Sequence, residues 1–244
     1  KAIFVVHNET STGVTSRIPE IRKAIDNAKH SCLFFVDTIS SLGSMDYKHD
    51  EWGVDVTIGG SQKGLLLPPG LSFNAISSKA IEAYKKSKLS KSYWDWKPMI
   101  DNNKNGFFPY TPATNLLYGL NEALKMLFEE GLENVFKRHE RLAEATRMAV
   151  NGWGLEILCK NKNEYSNSLT AVLVPKNCNA DDLRKIILDN YNMSLGTGLS
   201  KMKGKIFRIG HLGNFNELML AGTLAGVEMG LKISKIPYKS GGIM

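Results

Sequence analysis

Val54, Val56 and Ile58 alternate with Asp55 and Thr57, a period of two that predicts a strand over residues 54–58. Two earlier stretches, Ala2-Ile3-Phe4-Val5-Val6 and Cys32-Leu33-Phe34-Phe35-Val36, are apolar without alternation, the pattern of strands covered on both faces. Between them Ile18, Ile21, Ala24, Ile25 and Ala28 recur at helical spacing, and Pro19 fits a first turn. Strand, helix, strand, loop, strand is the order of an α/β domain with a largely parallel sheet. Residues 71–76 predict one more strand and 77–87 a lysine-rich helix, while 90–106 read as a polar, irregular loop carrying Tyr93, Trp94 and Trp96.

Downstream the period lengthens. Leu116, Leu117, Leu120, Leu124, Leu127 and Phe128 predict a helix that Gly131 interrupts, and Leu132, Val135, Phe136, His139, Leu142, Ala143 and Ala149 share one face of a second helix, His139 as a packed core residue. Strands at 155–158, 169–174 and 205–209 then alternate with helices at 181–191 and 216–233, the pattern of a small α+β domain. This divides the chain into residues 1–130, the C-terminal part of a large domain with its connecting helix, and residues 131–244, a small C-terminal domain.

Composition changes this picture little. The 244 residues are 43% hydrophobic and 23% charged, an ordinary globular balance. The net charge of +7 is spread along helical segments with no basic run interleaved with aromatics, which argues against a nucleic-acid partner. Three cysteines without CxxC or Cys/His spacing support neither a disulfide framework nor a metal site, and fit a cytoplasmic, reducing setting. No apolar run approaches the roughly 20 residues that span a bilayer. The chain starts at Lys1, without methionine and inside a strand-like run, so further residues are expected upstream.

Chemistry gathers at the strand ends, where open α/β sheets bind ligands. Lys63 follows the 54–58 strand in Gly60-Ser61-Gln62-Lys63-Gly64-Leu65, in apolar company that the other lysines lack. Such a setting favours the neutral amine, which attacks carbonyls. Asp37 ends the 32–36 strand as a turn residue or as the partner of a protonated ring nitrogen. Thr10-Ser11-Thr12-Gly13 offers hydroxyls and N–H groups to a helix cap or an anion, and Gly196-Thr197-Gly198 is a weaker phosphate signal. Arg208, alone in an apolar strand, needs a carboxylate, from a structural salt bridge or a ligand. His211 reads as a structural hydrogen-bonder.

Together, His7-Asn8-Glu9-Thr10-Ser11-Thr12-Gly13-Val14, Val36-Asp37-Thr38-Ile39-Ser40-Ser41-Leu42-Gly43, Gly60-Ser61-Gln62-Lys63-Gly64, Pro68-Pro69-Gly70 and Phe207-Arg208-Ile209-Gly210-His211-Leu212-Gly213 closely resemble the class V pyridoxal-phosphate aminotransferases. The resemblance implies an α/β fold-type I transferase, truncated at its N-terminus, with pyridoxal 5′-phosphate as cofactor. It implies that Lys63 forms the internal aldimine and shuttles the α-proton, that Asp37 pairs with the pyridine nitrogen, that Thr10 and Gln62 contact the cofactor, and that Arg208 receives the substrate carboxylate. Thr111 matches a position that reaches the cofactor phosphate of a neighbouring subunit, which implies a homodimer with shared sites; where the family has a tyrosine nearby, this chain offers Phe108 and Tyr110. The reaction implied is ping-pong transfer of an amino group from a small amino acid, serine or alanine, to glyoxylate. Two rival readings are a cysteine desulfurase, whose branch has histidine where this chain has Gln62, and a non-catalytic dimerisation or partner-binding fragment.

Overall fold

The computed structural model describes residues 1–242. Strand β1 (Ala2–Val6) leads into a hairpin of β2 (Asn8–Glu9) and β3 (Val14–Thr15), and helix α1 (Ile18–Asn27) crosses to β4 (Leu33–Asp37), β5 (Val56–Gly60) and β6 (Ser72–Ile76). The first sheet has the order β1-β4-β5-β6, parallel except for β6. Register places Val6 beside Asp37 and Asp37 beside Ile58, so β1 and β4 end at one level and β5 runs two residues further, to Gly60. Ile18 and Ile25 of α1 pack on Phe34, Val36 and Val54, with Ile3 and Val5 at the margin.

One expectation fails here. The run at 2–6 predicts a strand covered on both faces, yet Phe4 is 72% exposed and Val6 38%. Strand β1 pairs only with β4, and its alternate residues Ile3 and Val5 turn toward the α1 core while Phe4 lies on Phe35 across the other face, ring centroids 4.5 Å apart. The loop predicted over 90–106 also proves ordered: after α2 (Ser78–Lys85) comes a single 3-10 turn (Ser92–Trp94) and then α3 (Trp96–Asn103). Asp95 starts that helix by accepting a hydrogen bond from the Lys97 N–H, and Pro98 sits in its first turn, where no backbone donor is needed.

Helices α4 (Thr114–Glu130) and α5 (Leu132–Gly152) meet at Gly131, whose φ of +83° suits glycine. A second, antiparallel sheet follows, in the order β7-β8-β10-β9, from β7 (Glu156–Ile157), β8 (Leu169–Leu173), β9 (Gly196–Thr197) and β10 (Ile206–Gly210). Helices α6 (Ala180–Tyr191) and α7 (Glu217–Ile233) cover it, and Trp153, Leu183, Ile187, Phe207, Ile209, Val227 and Leu231 form its core. The α6–α7 approach depends on Gly230, where a Cβ would stand 2.3 Å from Ile187 Cγ1. No helix among the described residues is long and apolar enough to cross a membrane.

The two sheets are joined where the β2–β3 hairpin reaches across. Val14 bridges to Tyr165, the Ser166 N–H donates to the Gly13 carbonyl at 3.1 Å, and the Ser168 hydroxyl donates to the Ser40 carbonyl at 2.6 Å. These contacts carry the end of β10 to the edge of the parallel sheet.

Candidate active site

Strand β5 runs two residues beyond the alternating pattern, through Gly59 and Gly60, so Lys63 lies in the following turn, closed by a hydrogen bond from the Leu66 N–H to the Lys63 carbonyl at 3.1 Å. That turn packs backbone against backbone on residues 38–44. A Cβ on Gly64 would lie 2.2 Å from the Leu42 carbonyl oxygen, and one on Gly43, whose φ is +76°, would lie 2.7 Å from the Gly64 carbonyl oxygen. Gly59 is as tightly placed, 2.8 Å from Leu42 Cδ2. The glycines therefore bring the Lys63 turn against the loop that Asp37 opens. Lys63 is half-buried, and unlike Lys79, whose ammonium stands 3.2 Å from Asp55, it forms no ion pair among the described residues.

Asp37 closes β4 and is half-buried. Its Oδ1 accepts from the Ile39 N–H at 2.8 Å, which fixes the carboxylate in a local turn, and Oδ2 accepts nothing among the described residues. Thr38 anchors the same turn to β5 through both its N–H and its hydroxyl, each donating to the Ile58 carbonyl. Beside them His7 is buried, with Nδ1 2.9 Å from the Ser41 hydroxyl. Burial pushes it down to about 4 against the opposing pull of Asp46, so its imidazole is neutral at pH 7.

Arg208 lies in β10. Its Nε donates to the Thr197 carbonyl at 2.8 Å and its Nη1 to the Thr10 carbonyl at 2.7 Å. No carboxylate within 4.0 Å pairs with it among the described residues, so no structural salt bridge consumes its charge. Burial lowers its pKa, the neighbouring Arg184 adds to that, and Glu9 opposes both. A guanidinium bound only to carbonyls keeps both its charge and its remaining donors for an anion.

Past β10 the chain turns back toward Lys63. Gly213, with φ +84°, would place a Cβ 3.8 Å from the Lys63 carbonyl oxygen and 3.5 Å from Leu66 Cδ2. Both of its peptide groups are held by α5: its N–H donates to His139 Nε2 at 3.0 Å, and its carbonyl accepts from Arg138 Nη1 at 2.8 Å. Since Nε2 accepts, His139 carries its proton on Nδ1 and donates it to the Val135 carbonyl at 2.7 Å. Arg138 is itself fixed by a bidentate pair with Glu130, at 2.7 and 2.9 Å. His211 is fully buried between the Thr170 hydroxyl and the Asn167 carbonyl, and burial pushes it down to about 3.

Of the residues singled out in the sequence, Thr10 and Arg208 are in direct contact, and Asp37 and Lys63 sit on two loops packed together. Gln62 is exposed beside Gly60, its Oε1 2.9 Å from where a Gly60 Cβ would stand. Thr111 stands apart, exposed in the 106–112 loop and without a hydrogen bond among the described residues. No group of three metal-ligating side chains occurs among the described residues. Sequence reasoning did not single out Arg138 or Asp181; it read Thr197 only as part of a weak phosphate signal, Gly213 only as the end of the motif that follows Arg208, and gave His139 only a packing role.

The architecture is the α/β fold-type I aminotransferase structure. Residues 1–210 match the family model described as aminotransferase class-V, and the chain belongs to that family, which uses pyridoxal phosphate. It is 52% identical to a serine–glyoxylate aminotransferase of Methylorubrum extorquens, over 95% of this chain and 59% of that protein. It is 51% identical to the Arabidopsis thaliana serine–glyoxylate aminotransferase, over 99% of this chain and 60% of that one. Among solved structures it matches the Bacillus subtilis ureidoglycine–glyoxylate aminotransferase with a TM-score of 0.91 and 27% identity, covering all of this chain and 63% of the other. The chain thus spans about 60% of the length of the curated relatives it matches.

Proposed function

We propose that the full-length protein is a pyridoxal-phosphate aminotransferase that moves an amino group from serine to glyoxylate, giving glycine and the keto acid. The observation that carries this reading is the Arg208 guanidinium, held by two carbonyls and, among the described residues, paired with no carboxylate, on the segment that turns back against the Lys63 loop. The names of the relatives about half identical to it support serine and glyoxylate as the pair. The residues present fit the cofactor: a tethered carboxylate with one free oxygen, a lysine without an ion pair, and an arginine free for a carboxylate.

Pyridoxal phosphate, when bound, supplies an electron sink that makes the α-hydrogen of an attached amino acid acidic. Asp37 would hold the proton of the ring nitrogen, and the Ile39 N–H keeps its carboxylate from turning away. Lys63 Nζ would hold the cofactor and would serve as the base that moves the α-proton. Arg208 grips the carboxylate that serine and glyoxylate both carry, so one receptor serves both half-reactions. Thr10 and Gln62 would line the cofactor.

A homodimer completes the site in this reading, with Thr111 reaching the neighbouring subunit's cofactor phosphate. The 106–112 loop borders a groove of about 620 Å³, and Trp94, Phe107 and Tyr118 are 81%, 68% and 79% exposed, which supports a covered face there. The desulfurase alternative is not favoured: Cys32 and Cys159 are buried, and Cys178 lies on the connection into α6. Three unpaired thiols fit a cytoplasmic protein.

The test is spectroscopic and then kinetic. The full-length protein given pyridoxal phosphate should show the visible absorbance of a lysine-bound cofactor, and Lys63→Ala should lose it; absorbance that survives the substitution removes Lys63 from this role. Serine, alanine and aspartate compared as donors to glyoxylate should rank serine first.

A further inference from the structure

Arg208 works as a carboxylate receptor only if its planar fork is held in one orientation, and a long side chain does not hold itself. Two of the residues that hold it on the sheet side, Gly196 and Thr197, come from a motif that reads as a weak phosphate signal in the sequence. We propose that Gly196, Thr197 and Asp181 are positioning residues that fix the Arg208 guanidinium for its carboxylate ligand; this rests on the reading of Arg208 given above.

Strand β9 is two residues long and pairs with β10 at Thr197↔Phe207 and Gly196↔Arg208. The Arg208 side chain folds across β9: a Cβ at Gly196 would stand 3.0 Å from Arg208 Cβ and 3.2 Å from its Nε. Gly196 does not have the positive φ that would by itself demand glycine. Its bare backbone is therefore explained by the passage of the arginine, whose Nε reaches the Thr197 carbonyl at 2.8 Å.

Thr197 is pinned in turn. Its hydroxyl donates to Asp181 Oδ1 at 2.8 Å, and the same oxygen accepts from Arg184 Nη1 at 3.0 Å. Arg184 also donates through Nε to the Leu195 carbonyl at 2.8 Å, so the first turn of α6 grips the chain on both sides of Gly196. Asp181 has a second effect, since it pairs with the cation that acts against Arg208. The chain of contacts runs from Asp181 to Thr197 to Arg208 Nε, while Thr10 holds Nη1 independently from the turn of the β2–β3 hairpin.

The experiment uses the full-length, cofactor-loaded protein and four substitutions: Thr197→Val, Asp181→Ala, Gly196→Ala and Thr197→Ser. The first three should raise KM for both serine and glyoxylate by about tenfold, the weight of one lost hydrogen bond, with kcat held within about twofold. Thr197→Ser keeps the hydroxyl and should restore wild-type values. Propionate, a carboxylate that does not react, should bind about tenfold more weakly to the same three variants by calorimetry. Ethanolamine, an amine without a carboxylate, should perturb the cofactor absorbance of the variants as it does that of the wild type. Equal losses for ethanolamine and serine would show general disruption and overturn the proposal. Unchanged propionate affinity in Thr197→Val and Asp181→Ala would overturn it alone if Arg208→Ala still abolishes propionate binding; if Arg208→Ala binds propionate normally, the receptor reading falls first.

Discussion

Arg208 Nη1 donates to the carbonyl oxygen of Thr10 across 2.7 Å, a contact between residues 198 positions apart that ties the antiparallel sheet of β7–β10 to the turn of the β2–β3 hairpin. Because the acceptor is a backbone carbonyl, the bond survives any substitution at Thr10 that keeps the loop in place. Its loss is read from the arginine side. Arg208→Ala should raise KM for serine and glyoxylate by about 10- to 150-fold, the range of a hydrogen bond to a charged group. Arg208→Lys keeps the charge without the fork and should recover only part of that. Steady-state kinetics on both substrates checks it; an unchanged KM takes Arg208 out of the site.

Asp37→Asn retains an oxygen for the Ile39 N–H and removes the negative charge. Cofactor binding should persist while kcat falls by about 10² to 10³, the scale of losing one preorganised electrostatic contact. Absorbance titration and kcat measured together decide this, since loss of both would point to a local folding role.

Gly64→Ala inserts a Cβ 2.2 Å from the Leu42 carbonyl oxygen, an atom that cannot move aside without its strand-linked loop. The variant should lose about 1–3 kcal/mol of stability in urea melts, as overpacked sites do. It should also lose cofactor absorbance, because the same displacement shifts Lys63. Wild-type values for both would mean the two loops are not as closely stacked as the backbone distances require.

His7 and His211 are both depressed by burial, to about 4 and about 3. Their native pKa lies below the unfolded value of about 6.5, so stability is full above that value. As pH falls the unfolded chain takes up protons that the folded chain refuses, and stability drops until the folded pKa is reached. Each group should contribute a loss of up to about 2 kcal/mol by pH 5. Urea unfolding at pH 7, 6 and 5 should show this slope, and His7→Gln should reduce it; a flat profile contradicts the burial of both rings.

The local order of the chain was legible because its signals are local. Alternation marked β5, and the heptad-like recurrence from Leu116 to Phe128 marked α4. What escaped was short or distant. Strand β9 has two residues, too few for any period, and its pairing with β10 exists only once residues 206–210 return beside it. Helix α3 hid behind aromatics and Pro98, although Asp95 before it was a cap in plain sight. The site showed the same division: Lys63 and Asp37 stand out where strands end, whereas the partners that hold Arg208 are read only from tertiary contact.

Gly213 owes its place to two consecutive residues of one helix, Arg138 and His139, gripping opposite sides of its backbone. Successive residues on a helix differ by about 100° in direction, so only one rotational phase of α5 presents both grips at once. Inserting or deleting a single residue between Gly131 and Arg138 would turn the pair away together and release the segment that lies against Lys63. The surface of that first turn is free to vary, but its length acts as a fixed gear tooth between the lysine and the arginine.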